Sequence, residues 1–477
     1  MPPKLWRVGR SNLDQNLTVD RSLAPSGYKQ DTWDTVQLAA ENMDYLFDSW
    51  FADGDWASAG STKSNTTDET LIRHGAGSGI LTPGAGISSS YLKWTLPAVL
   101  DLSSNNVWVD VSWKLEAVGA GVPESAINNF WLILYEGANM RYENFGVKYA
   151  GWHRVQALLT APIASGNNVE NSWGVVMEAV GAGGNIDPAA IDTIGMAITY
   201  NDTRSAEVRL VMDRFRIFQP KAAGVPKIMF TFDDGDSTNM VAARILEKHG
   251  FRGTFCLIPE YLGEASITIG GAARTPLTVA QTKDLLRRGH QIATHGYTSL
   301  VSGFTTTASR IREMVRAKRM LQDLGLGNPG LDLYAYPLGH VGEPADQLEY
   351  LQHFSGLIQT AMTHLSSDWS LNAHTTGLDC YTSIMPQGRG DRRTVQRTSM
   401  DLPENYTVDP LDVTSTAVNY VDRAILSRGD LCFMWHIIDA PGQTTAAELE
   451  TLMAAIRVLV DAGTVEVVMV SDYVAGN

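Results

Sequence analysis

KIMFTFDDGDST, residues 227–238, decides the reading of the C-terminal half of the chain. An apolar run rich in aromatic residues stops at two adjacent carboxylates, Asp233 and Asp234, followed by a glycine. Two like charges at the end of a buried strand repel each other, and burial sharpens the repulsion. Something of opposite charge must compensate them, and a metal ion is the first candidate.

Working outward, the chain after this stretch alternates strand-like and helical segments. STNMVAARILEKHG reads as a helix, GTFCLI as a strand and LTVAQTKDLLRRGH as a helix. QIATH and LDLYAYP read as strands, and TTTASRIREMVRAKRMLQDLG between them as a long helix opened by capping threonines. EPADQLEYLQHF reads as a helix, DLCFMWHII as a strand, TTAAELETLMAAIRVLVDAG as a helix and VEVVMV as a last strand. Such alternation over residues 225–477 indicates an α/β fold with a parallel sheet or barrel. Sites in these folds lie at the C-terminal ends of the strands. Asp233, Asp234, His295, Pro337 and His436 all fall there.

Upstream, FQPKAAGVPK (218–227) reads as a linker. Residues 48–219 show period-two strands separated by Gly, Ser and Asn clusters, the pattern of an antiparallel β-sandwich. NVWVDVSWKL (106–115) puts Val107, Val109, Val111, Trp113 and Leu115 on one face. The closing run of this region looks like the last strands of jelly-roll carbohydrate-binding modules. Its tryptophans, Trp108, Trp113, Trp131, Trp152 and Trp173, divide between core and rings able to stack on sugars. Residues 1–47 hold one short amphipathic stretch, with Val36, Leu38, Met43 and Leu46 near helical spacing. It reads as a capping helix or as an attachment segment.

Composition excludes some functions. Net charge is −15, which argues against nucleic-acid binding and against an anionic membrane surface. No apolar run reaches the roughly 18 residues needed to span a bilayer. The three cysteines, Cys256, Cys380 and Cys432, include no CxxC pair and read as buried thiols.

Four strand ends, taken in order, resemble the polysaccharide deacetylase family, carbohydrate esterase family 4. They are TFDDG, GHQIATH (289–295), YAYPLG (334–339) and FMWHI (433–437). The likeness covers about residues 225–475. It implies a distorted (β/α) barrel and metal-dependent removal of acetyl groups from a polysaccharide. By position, Asp233 is then the general base, Asp234 and His295 are metal ligands, and His436 is the general acid. The backbone N–H of Leu338 serves the oxyanion, while Tyr336, Pro337 and Trp435 line the substrate site. Zinc is the first choice of ion, with manganese, nickel and cobalt as alternatives. The chemistry agrees: a divalent ion polarises the acetyl carbonyl, a carboxylate takes a proton from water, and an imidazole protonates the leaving group.

Two positions depart from the family pattern. Its second histidine ligand is replaced by Ser299, so the third position falls to Ser299, to His340 or to water. AYPLG stands where many members carry RPPYG, so the arginine that steadies the base is missing at Ala335. Arg393 or Arg397, in DRRTVQRTSMD, takes that role in the resemblance.

Other readings compete. A member that has lost its third ligand would be a glycan-binding adhesin. Asp234, Asp236 and Thr238 also fit DxDxT, the nucleophile pattern of a phosphatase family. The N-terminus has no secretory pattern. That suggests a phage tail protein acting on host surface polysaccharide, with residues 1–47 as virion attachment and a trimeric assembly, or an extracellular enzyme released by another route.

Overall fold

The computed structural model describes residues 44–46, 60–72, 77–102, 106–118, 126–144, 151–158, 178–179, 187–200, 208–219, 224–269, 272–297, 306–337, 350–360, 384–387, 394–400, 421–422, 424–440 and 443–476.

The N-terminal half forms two antiparallel sheets. One runs Ser61–Thr66, Ser78–Pro83, Val208–Phe218, Trp108–Ala117, Gly151–Leu158 in spatial order. The other runs Ser89–Leu100, Ile191–Tyr200, Ile127–Glu136, Asn139–Asn144, Glu178–Ala179. Their inner faces share one core. Val107, Val109, Val111, Trp113 and Leu115 are fully buried there against Leu132, Ile194, Met196 and Ile198. The alternation read from the sequence thus marks the inner face of a sandwich.

One expectation changes at its only described part: Asp44–Leu46 is not helical but pairs antiparallel with Phe218–Arg216, while Val36, Leu38 and Met43 lie outside the described residues. Of the tryptophans divided between core and sugar-stacking rings, Trp108 and Trp113 belong to the core, since neither exposes any surface. Trp113 sits in the sandwich core, and Trp108, on the opposite face of its strand, packs against the second half. Its indole N–H donates to the carbonyl of Ser427 at 3.3 Å. The side chains of Trp131, Trp152 and Trp173 lie outside the described residues.

Among the described residues the second half is built on a nine-stranded sheet in which seven parallel strands form a ring, with Glu466–Val467 and the antiparallel Ile384–Pro386 added outside it. In spatial order the seven are Lys227–Phe232, Thr254–Leu257, Gln291–Thr294, Leu333–Ala335, Gly356–Thr360, Thr394–Ser399 and Gly429–Trp435. The first and seventh also pair in parallel, Ile228 with Leu431 through Phe232 with Trp435, which closes the ring. Thr254–Leu257, Gln291–Thr294, Leu333–Ala335 and Gly429–Trp435 are buried on both faces, which explains their near-continuous apolar runs. Phe230 and Phe232 face the outer helices, whereas Met229, Cys256, Ala293, Ala335 and Cys432 form a separate inner cluster. Burial pushes the Cys432 thiol up to about 12, so it is inert packing.

The helices begin where their caps predict. Thr278 with Gln281, Thr306 with Ser309 and Thr445 with Glu448 form capping boxes for Val279–Arg287, Thr307–Asp323 and Ala446–Asp461. VEVVMV departs from expectation: only Glu466–Val467 is strand, and Val470–Ala475 is a short helix. Val470 and Tyr473 of that helix join the inner cluster, so burial in the barrel outweighs β propensity.

Candidate active site

The first strand delivers Asp233 and Asp234 to the rim. Asp234 has φ 65° and Gly235 φ 70°, two successive left-handed residues that turn the chain sharply away from the sheet. Aspartate tolerates this conformation, and a side chain at Gly235 would collide with Leu257 at 2.8 Å. The turn leaves both carboxylates buried and aimed differently.

Asp233 meets Arg397 of the sixth strand. The guanidinium donates to Oδ1 at 2.7 Å and to Oδ2 at 2.5 Å, a bidentate fork, and to the hydroxyl of Thr231 at 3.2 Å. Both residues are almost wholly buried. Burial alone would raise the Asp233 carboxyl, but Arg397, with His295 and His436, holds it below the usual range. Of the two arginines open in the sequence, Arg397 is the one that grips Asp233; Arg393 lies outside the described residues.

Asp234 has a different partner. Arg274 reaches its Oδ2 from the end of a small hairpin, Ile267–Ile269 paired with Ala272–Arg274. His295 Nε2 stands 3.4 Å from Asp234 Oδ1 and 3.5 Å from Asp233 Oδ2. His436 Nε2 lies 4.0 Å from Asp234 Oδ2 and is the most exposed of this group, its side chain 30% accessible. Burial pushes the Asp234 carboxyl up, but the two histidines and Arg274 outweigh it and hold it low. The backbone N–H of Asp233 donates to the carbonyl of Trp435 at 2.8 Å, which locks the first and seventh strand ends together beside His436.

The donor set suits a divalent ion. His295 Nδ1 lies 2.9 Å from the carbonyl of Ala335, so Nδ1 carries a proton. Its Nε2 faces two carboxylates at 3.4 and 3.5 Å, a position that a proton or a cation must satisfy. Asp234 and His295 are the two donors that converge. Among the described residues no third His, Cys, Asp or Glu completes a cluster. Ser299 and His340 lie outside the described residues, as does Leu338.

Three other assignments are settled by burial. Trp435 is not a substrate contact: it is fully buried and stacks on Phe232 at 5.4 Å. Tyr336 is 1% exposed and packs edge-on against Tyr334, so it too is core. Pro337 is buried at the end of the fourth strand. Asp236, the second acid of DxDxT, accepts from the backbone N–H and hydroxyl of Thr238 at 2.8 and 2.7 Å and so shapes the entry to helix Asn239–Lys248. His290 is structural, held between Glu247 at 2.9 Å and the N–H of Gly253 at 3.1 Å. Arg274 was not foreseeable: no periodicity or motif marks it in GGAARTPLT.

Residues 221–352 match the family model described as polysaccharide deacetylase. No curated protein matches the chain. Among solved structures, similarity is found to a family 4 acetyl xylan esterase from Clostridium thermocellum in complex with a cobalt ion, 13% identical over 52% of this chain and 90% of that one, TM-score 0.31. A family 4 carbohydrate esterase from Streptomyces lividans is 15% identical over 51% and 93%, TM-score 0.30. The peptidoglycan deacetylase PdaC from Bacillus subtilis is 14% identical over 54% and 94%, TM-score 0.31. The family match takes in Asp233, Asp234, His295 and Pro337 and stops before Arg397 and His436, which only the folded geometry joins to them. Residues 221–352, the first part of the barrel, thus carry a match to a polysaccharide deacetylase domain.

Proposed function

We propose that this site hydrolyses acetyl groups on a polysaccharide with the help of a divalent ion. One observation carries the reading. A buried carboxylate, Asp233, is kept ionised by the fork of Arg397 while a second carboxylate and an imidazole converge beside it. A base that must accept a proton needs such an arrangement: ionised, oriented, and not itself consumed as a ligand.

The roles follow from the atoms. Asp233 takes the proton of the attacking water. His436, at the open side of the site, gives a proton to the departing amine or alkoxide. Asp234 and His295 hold the ion; when bound, it supplies Lewis-acid stabilisation of the developing oxyanion and acidifies water. Ala335, through its carbonyl, fixes the His295 tautomer that can ligate. The oxyanion donor assigned to the N–H of Leu338 belongs to the same proposal.

The test is acetate release from acetylated xylan and acetylated chitooligosaccharides, with and without a chelator. Release that stops with chelator and returns on adding zinc or cobalt is the expected outcome. Glycan binding without acetate release, under any of these ions, would favour the adhesin instead.

A further inference from the structure

The helix Thr307–Asp323 carries a basic face that the acetyl chemistry does not use. Arg312, Arg316 and Arg319 line a groove of about 540 Å³ on its outer face. They follow one another at i, i+4 and i+7, so they share a face, and Arg312 and Arg319 lie about 10 Å apart along the axis. Ile311, Val315 and Met320 give the groove an apolar floor. Tyr297 closes one side, with the Arg316 guanidinium 3.8 Å from its ring centroid.

Charge makes this groove unusual. The chain carries a net charge of −15, and several of its other surface arginines pair with acids. Arg287 pairs with Asp284, Arg288 with Glu247 and Asp284, and Arg457 with Asp461. Among the described residues no carboxylate lies within ion-pair distance of Arg312, Arg316 or Arg319, although Asp323 shares the cavity. Three adjacent guanidinium groups repel one another in the free protein, and a ligand that neutralises them gains that repulsion back.

Position ties the groove to the site. Tyr297 follows His295 by two residues. A helix that succeeds a barrel strand runs back along the wall, so its N-terminal end starts near the rim. The groove therefore descends from the rim beside His295 along the outside of the barrel.

We propose that this groove binds an acidic polysaccharide, a glycan bearing carboxylate groups at intervals, and so selects the polymer whose acetyl groups the site removes. The proposal rests on the deacetylase reading for its substrate, but not for its binding. The apolar floor and the Tyr297 edge suit the C–H face of a sugar ring. Guanidinium groups pair with carboxylates in a planar fork. A single anion reaches one arginine, whereas a polymer with repeated charges engages all three. The acidic remainder of the surface repels any polyanion alike, so what favours a glycan over a nucleic acid is the deacetylase reading of the neighbouring site.

The experiment is affinity electrophoresis of the full chain through gels containing polygalacturonate or neutral dextran. Polygalacturonate alone should retard the protein, and less so as salt is raised. The triple variant Arg312→Gln, Arg316→Gln, Arg319→Gln should lose about tenfold or more in affinity. All three side chains are exposed, and Arg316→Gln alone should give a smaller loss in the same direction. Equal retardation by dextran, an unchanged triple variant, or equal affinity for a single-stranded oligonucleotide overturns the proposal. Hydrolysis of p-nitrophenyl acetate, too small to reach the groove, should be the same in wild type and variant. A protein that binds polygalacturonate but cleaves no acetyl ester refutes the hydrolase reading and leaves the groove standing. One that cleaves but does not bind refutes the groove.

Discussion

Asp233 and Asp234 are neighbours in the chain, and each is held by an arginine, yet the two halves of the site are built differently. Arg397 projects from a strand inside the barrel and makes three hydrogen bonds, two of them to Asp233. Arg274 projects from the end of a hairpin of two three-residue strands; the next residues bond back to the turn after Asp234, Thr275 accepting from the Ser237 N–H at 2.8 Å and Leu277 donating to Gly235 at 2.7 Å, and the Arg274 Nε has no acceptor among the described residues. The difference fits the roles proposed above: the proposed base is clamped by a strand of the barrel, and the proposed metal ligand is paired from a turn outside the barrel sheet.

The sharpest way to break this comparison is to neutralise each acid separately. Asp233→Asn should lower kcat by about 10²–10⁴ with metal still bound, because only proton transfer is lost. Asp234→Asn should lose metal as well as activity. If the two variants retain metal equally, the division of labour is wrong. Stability gives the next largest effect. Arg397→Ala strands a buried carboxylate and should cost about 3–5 kcal/mol in urea unfolding. Arg274→Ala should cost clearly less, because His295 and His436 still face Asp234. Equal losses would show that both arginines are scaffold. Third, His295→Ala should abolish stoichiometric retention of zinc or cobalt after desalting, read by mass spectrometry. Ions retained by the variant at wild-type level would move the metal elsewhere.

Much of this arrangement was legible in the sequence, for a physical reason. Parallel strands buried on both faces produce apolar runs, and their ends announce the rim where Asp233, Asp234, His295 and His436 converge. Sandwich strands alternate, so Val107 to Leu115 could be assigned to the core. What failed were features that depend on which way a side chain turns. Trp435 and Tyr336 stand beside the motif residues, but their rings turn into the core. VEVVMV has the β-branched content of a strand, yet Val470 is drawn into a helix that packs within the barrel cluster. Arg397 could be narrowed only to a choice of two, since a bond across 164 residues leaves no periodic trace. Arg274 left none at all.

The smallest effect is the most discriminating, because it concerns Arg274 alone. Its guanidinium occupies Oδ2 of Asp234, while His295 faces Oδ1 at 3.4 Å. A cation arriving beside His295 meets a like charge already seated on the same carboxylate, and the repulsion counts against binding. Arg274→Gln keeps the length and removes the charge. Cobalt affinity, measured by calorimetric titration, should therefore rise by about tenfold, some 1.4 kcal/mol. Hydrogen exchange across residues 264–276 of the wild type should quicken when cobalt is added, as the hairpin loses its anchor. A fall in affinity would mean the reverse: Arg274 would then orient Asp234 toward the ion, as Arg397 orients Asp233 toward water, and the two halves of the site would work by one rule.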